Sequence, residues 1–337
     1  MARRPIEDSS TRQVWGGKKA CIAYVGMLVL CSALLVLVMK LWKANLAVPF
    51  GYFPGGDALC YSIFVKGLID NTWYWQNHFL GMPTGLELYD FPLSDGVHFS
   101  FIKFLFFLSA DYAVVLNSYF PLNSPLTALT SLFVFLRFGL SYGPSIVGSL
   151  LFAFLPYFFF RGEAHFLYAL CYHFPLVVMC VLWVSLGERF FYFDRSSYKL
   201  VHPWVSSKFI ISSMICTLVA SGLVYYAFFA VFFLLCAGMY AFLYRKHLHS
   251  LLTAGALSAV IFFVFLVNIS PSLFYFAQNG RNEIVARWLP AEPEIYGLKI
   301  AQLLLPVDAH RIPLLARLKD HYNRQAPLVN ENGIASL

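Results

Sequence analysis

A chain of 337 residues that is 59% hydrophobic and only 12% charged departs from a soluble domain, which runs near 45 to 50% apolar and about 25% charged. That balance excludes an ordinary soluble enzyme or binding module. The net charge of +7 sits beside apolar runs rather than along one face, so it reads as membrane topology and not as a nucleic-acid surface.

Met1 to Lys19 carries Arg3, Arg4, Arg12, Lys18 and Lys19, and Ala20 to Met39 is then continuously apolar, about the length a span requires. A cleaved leader has a shorter core and a small-residue exit site. Lys40, Leu41, Trp42 and Lys43 follow instead, which predicts an uncleaved first span. Further stretches of about 20 residues predict a polytopic, all-α bundle of about seven spans, at 20–42, 113–136, 143–160, 168–187, 208–223, 224–244 and 251–270. Phe101 to Leu108 is apolar but short and predicts an interfacial helix, whereas Asp111, Asn117, Pro121 and Pro125 predict that the following span is broken.

Basic residues in short loops set orientation. The N-terminal segment, the 188–208 loop with Arg189, Arg195, Lys199 and Lys208, and the 245–250 loop with Arg245 and Lys246 therefore go to the cytoplasm. Lys40 and Lys43 are a minority on the other side. The opposite face receives the large loop 44–112, the turn at 161–167, the bend near 221–226 and the segment 271–337, which has no apparent terminal helix. Residues 1–19 thus form a cytoplasmic segment, 20–270 the bundle and 271–337 an outer segment that reads as cut short, as in a fragment of a longer chain. The cysteines, Cys21, Cys31, Cys171, Cys180, Cys216 and Cys236 among them, lie in apolar segments without metal-ligand spacing and read as small buried hydrophobes.

Three clusters of polar residues fall on the outer face. The first is Phe53-Pro54-Gly55-Gly56-Asp57 with Asp70, Glu87, Asp90 and Asp95, among which Trp73, Trp75, His78, Tyr89 and His98 are interleaved. Acids beside aromatic faces suit a sugar site; the plainer reading makes Asp70, Asp95 and His98 turn, cap or belt residues. Asp57 stands apart, because an acid so near the membrane plane is costly without a partner or a role. The second cluster is Arg161-Gly162-Glu163-Ala164-His165, then Tyr168, Tyr172 and His173. His165 and His173 are about two helical turns apart and would share a helix face, while Arg161 could equally snorkel and pair with Glu163. The third holds Glu292, Glu294, Tyr296, Lys299 and Asp308-Ala309-His310-Arg311. There Tyr296 to Leu305 predicts an amphipathic surface helix that delivers His310 and Arg311 to headgroup depth, where arginine either grips phosphate or anchors the interface.

Gly56-Asp57, Leu80-Gly81-Met82-Pro83, Tyr89-Asp90-Phe91-Pro92, Phe152 to Tyr157 leading to His165, Tyr225-Tyr226, Leu304-Leu305-Pro306 and His310-Arg311 together resemble the GT-C superfamily of polyprenyl-phosphate-dependent glycosyltransferases, and within it the YfhO-like bacterial membrane proteins. The resemblance implies a multi-pass protein of the bacterial inner membrane with a cytoplasmic N-terminus, a lipid-linked sugar donor and lipids as partners. It implies Asp57 as the catalytic acid, Arg311 with Arg161 at the donor phosphate, and a divalent metal ion with no assignable ligands; the clusters add His165 as a second catalytic candidate and Asp90, Glu163, Tyr225, Tyr226, Glu294 and His310 as substrate-binding candidates. The usual acid-x-acid motif is absent, since Ala58 and Leu59 follow Asp57. A transporter or flippase of lipid-linked saccharide and a noncatalytic envelope-assembly protein are the alternatives.

Overall fold

The computed structural model describes residues 17–49, 58–70, 73–194, 199–284 and 299–325, with 290, 292 and 297. It is mostly helical, as a chain in lipid must be, because a bilayer offers no water to pair a stray backbone group. The chain divides into two compact units, Met1–Leu155 with Gly162–Gly280, and Pro156–Arg161 with Arg281–Leu337.

In the first unit α1 (Lys18–Met39), α2 (Ala58–Asp70), α3 (Gly96–Phe106), α4 (Tyr112–Arg137) and α5 (Tyr142–Ala153) are followed by α6 (Phe174–Ser185), α7 (Ser207–Ala220), α8 (Val224–Arg245) and α9 (Leu248–Asn279). Two-stranded antiparallel ribbons join Gln76–Asn77 to Leu86–Glu87 and Phe191–Asp194 to Lys199–Val205. Five helices are long and apolar enough to cross a membrane: Lys18–Met39, Tyr112–Arg137, Tyr142–Phe159, Val224–Arg245 and Leu248–Asn279. Their outer faces carry exposed Phe228, Phe232, Phe262, Phe263 and Val267, a surface tolerable only against acyl chains. This is a membrane protein by composition and by the faces its helices present.

Three expectations change. The span at 113–136 is not broken: α4 runs through Pro121 and Pro125. Asp111 starts it rather than interrupting it, accepting from the Ala113 and Val114 amides at 2.8 and 3.4 Å, a standard N-cap. The proposed helix at 168–187 shrinks to the 12-residue α6. Before it, residues 163–169 are a 3₁₀ segment kinked at His165 (φ −128°, ψ 59°), so His165 and His173 share no helical face. Cys21 and Cys236 are exposed, whereas Cys31, Cys171, Cys180 and Cys216 are buried as expected.

The core of this unit has three parts. Met179, Trp183, Val184, Ala220, Leu257 and Ile261 join α6 to α9; Tyr61, Val65, Leu68, Phe99, Tyr119 and Phe166 gather around α2, α3 and α4; Met27, Cys31, Ala128, Leu132 and Ala153 hold α1 on α4 and α5. Helices α8 and α9 approach closely. Small residues Ala230, Ala237, Gly238 and Ala241 are buried there, and a Cβ at Gly238 would stand 2.6 Å from the Ala254 Cβ and 3.2 Å from the Leu251 Cα. Small residues permit such backbone contact, on which helix association in lipid depends.

The second unit contains a helical turn at Pro156–Arg161, α10 (Ile300–Leu304) and α11 (Pro313–Gln325). The amphipathic helix predicted at 296–305 is reduced to five residues, with 296 and 298 outside the described set. The segment has a helix near its end after all, α11, which is the more strongly amphipathic element.

Gly238→Val is expected to lower stability by about 1–3 kcal/mol through overpacking, read as a fall in the melting temperature of detergent-purified protein. Gly143→Ala, where a Cβ meets nothing within 4 Å, serves as the control and leaves the melting temperature level or raised.

Candidate functional site

Direction along the bundle is fixed by hydrogen bonds. At one end Lys208 Nζ pairs with Glu188 at 2.6 Å, Arg245 donates to the Leu186 carbonyl and His249 meets the Gly187 carbonyl. Arg137 and Lys208 also lie over the Trp183 ring there, at 5.5 and 5.8 Å. From this basic end α8 and α9 each run about 30 Å to the bend at Ser221–Gly222 and to Asn268.

The segment Ser94–His98 docks on that far end. Ser94 Oγ donates to the Gly222 carbonyl at 2.7 Å, and the Val97 amide donates to the Ser221 carbonyl at 2.9 Å. Asn268 Nδ2 donates to Ser221 Oγ at 3.0 Å and to its own helix at Val264. A Cβ at Gly96 would fall 2.5 Å from Asn268 Oδ1, so glycine is what lets the start of α3 approach α9 this closely.

The two faces of α3 are chemically different. One face borders a shallow, open cleft of about 580 Å³ lined by Trp73, Gly96, Ser100, Phe101, Phe104, Ser221 and Asn268. It offers aromatic walls, a primary amide and hydroxyls, with no charged side chain. On the other face, Asp95 and His98 turn inward and are almost wholly buried. His98 Nδ1 shares a 2.8 Å hydrogen bond with Tyr119 Oη. The His98 and Tyr172 rings meet edge to face at 6.1 Å. Asp95 Oδ1, His98 Nε2 and His173 Nε2 are buried with no hydrogen-bond partner.

Burial away from water disfavours charge on either group. It pushes the Asp95 carboxyl up to about 8 and the His98 imidazole down to about 4. A neutral acid and a neutral imidazole are thus buried at the head of α3, the imidazole against Tyr119 and Tyr172.

The expected site residues separate as follows. Asp57 and Glu294 lie outside the described residues, and so do the side chains of Arg161 and Glu163. His165, Tyr168, Tyr225 and Tyr226 do come together: the His165 and Tyr168 rings are 5.8 Å apart, the Tyr168 and Tyr225 rings 5.7 Å, and Tyr226 Oη donates to the Tyr168 carbonyl. Tyr226 also lies 5.2 Å from the His173 ring, linking this group to the buried node. Asp90 stands in the loop that packs on the end of α9, where Tyr89 stacks on Tyr275 at 4.9 Å. His310 and Arg311 belong to the second unit; His310 Nδ1 accepts from the Ile312 amide at 3.0 Å and Arg311 is exposed. Among the described residues no three His, Cys, Asp or Glu side chains form a group able to hold a metal.

Asp95 and His98 are the site residues that sequence reasoning placed as turn and belt positions. Their spacing of three at the head of an apolar helix was the available signal, since it puts both on one face. Asp95 does occupy the N-cap position of α3, but its side chain makes no cap hydrogen bond.

Stability follows from these shifts. The stabilisation tied to neutral Asp95 is fully present below about pH 4, its unfolded value, and is lost as pH rises through about 8. For His98 the contribution is present above about 6.5 and is lost as pH falls toward about 4. The window from 6.5 to 8 therefore isolates Asp95: the wild-type melting temperature falls across it, and Asp95→Asn flattens that fall. An unchanged slope in the variant would show that Asp95 is not buried as a neutral acid.

No family model, curated protein or solved structure matches this chain.

Proposed function

We propose that the chain is a GT-C-like membrane transferase that moves a sugar from a polyprenyl-phosphate-linked donor to an acceptor at the extracytoplasmic face of a bacterial inner membrane, with its N-terminus cytoplasmic. In this reading α6 and α7 complete a seven-pass bundle, the basic end faces the cytoplasm and the 44–112 loop lies outside. Asp57, just after the first span in sequence, takes the proton of the acceptor hydroxyl as that oxygen attacks the anomeric carbon and the bond to the donor phosphate breaks, with inversion. Arg161 and Arg311 hold the donor phosphate on the strength of the sequence resemblance.

The observation that carries the reading is the cleft beside α3, at the end of the bundle away from the basic loops. Trp73, Phe101 and Phe104 offer faces for the C–H side of a pyranose, and Ser100, Ser221 and Asn268 offer hydrogen bonds to its hydroxyls. A neutral lining suits a neutral ring. A transporter or flippase is less well supported, because ion-coupled carriers place ionisable groups at mid-depth. In the five long helices Asp, Glu, Lys and Arg occur only as Lys18 and Lys19 at the start of one and as Arg137 and Arg245 at the ends of two others.

Loss of a general base costs about 10²- to 10⁴-fold in rate. In cells whose only copy is Asp57→Asn, surface glycan is expected to disappear and lipid-linked sugar to accumulate, with the protein still in the membrane fraction. Unchanged levels of both would remove Asp57 from catalysis and, with it, the transferase reading.

A further inference from the structure

In the second unit, α11 (Pro313–Gln325) is held from one side. Asn323 Nδ2 donates to Asp308 at 2.8 Å, and Lys319 is buried with its Nζ 6.0 Å from the Tyr322 ring centre. The opposite side carries Leu314, Leu318, His321 and Gln325, at spacings of four, three and four that place them on one helical face. Leu314 is 68% exposed and Leu318 50%. Arg317 and Arg324, both exposed, border this stripe one helical step away. Asp320 is the helix's only acid, against Arg317, Lys319 and Arg324. Elsewhere in the same unit Ile300 and Leu304 of α10 are 81% and 75% exposed.

Two exposed leucines beside two exposed arginines gain from two different surroundings at once. The leucines gain from a non-aqueous partner, while each guanidinium gains from an anion, best a phosphate it can grip through two hydrogen bonds. The boundary between acyl chains and phosphate headgroups supplies both within a few ångströms. Spanning helices in the same chain guarantee that such a boundary is within reach, since α11 begins 34 residues after Asn279.

We propose that α11 is a membrane-surface element that seats Leu314 and Leu318 at the acyl boundary and binds anionic phospholipid phosphates through Arg317 and Arg324. The assignment is independent of the transferase reading: either can fail without the other. It also moves the surface helix expected around Tyr296–Leu305 to a later segment with a different basic rim.

The test is amide hydrogen exchange of the full chain in nanodiscs, comparing phosphatidylcholine alone with phosphatidylcholine containing one part in four of phosphatidylglycerol. Exchange across 313–325 is expected to slow by about fivefold or more in the anionic discs, because each basic residue near such a surface contributes on the order of one kcal/mol. About 0.5 M salt reverses the slowing, and the charge-removing pair Arg317→Gln and Arg324→Gln abolishes it. Exchange across α8 reports that the variant remains folded. Equal exchange in the two kinds of disc, or slowing that survives the arginine substitutions, overturns the proposal; so does protection that appears only when a second protein is added.

Discussion

A backbone that lives in lipid has to find its own hydrogen-bond partners, and at two breaks between the helices of this protein side chains supply them. Asn123 is the clearest case. From within α4 its amide nitrogen donates to the Ala169 carbonyl at 2.7 Å, and its oxygen accepts from the Cys171 amide at 2.8 Å. Thr130 adds a bond to the Tyr172 carbonyl at 2.7 Å. Without these bonds the non-helical stretch between the 3₁₀ segment and α6 would bury unpaired peptide groups, at about 1–3 kcal/mol each. With them, Tyr168, Tyr172 and His173 are held in place, and so is one wall of the polar node.

The same device builds the opposite wall. Ser94 and the Val97 amide pair with the Ser221–Gly222 bend, and Asn268 completes it. The head of α3 is thereby fixed between α4 and the α7–α8 turn, with Asp95 and His98 on its inner face and the cleft on its outer one. Polar residues are thus placed by the need to mend breaks in backbone pairing, and chemistry becomes possible at the same positions. That overlap is why Asp95 and His98 stand at an end of the bundle while the long helices stay free of charge in between.

A neutral carboxyl and a neutral imidazole buried three residues apart are a consequence of this construction. Among the described residues neither group has a counter-ion, and Tyr119 satisfies only one histidine nitrogen. Such a pair holds its protons until something changes its access to water, so its protonation is tied to the packing of α3. The apolar cleft on the other side of that helix is where a bound molecule would bear on the packing.

Much of the architecture was legible in the sequence because lipid simplifies the rules. Long apolar runs specify helices, so α1, α8 and α9 could be read from hydropathy alone, and Arg245 and Lys208 marked the basic end. Pro121 and Pro125 misled, because a proline's lost hydrogen bond breaks an isolated helix but is tolerated in one packed on its neighbours. His165 and His173 misled in the reverse way, since periodicity assumes a continuous helix that the kink at His165 and the non-helical residues 170–173 deny. What the sequence determined by itself was the solvent: its composition leaves no alternative to a bilayer. Only the tertiary structure decided which polar residues are inside, because the burial of Asp95 and His98 arises from contacts with Tyr119, Tyr172 and Gly222, at separations along the chain that no local pattern encodes.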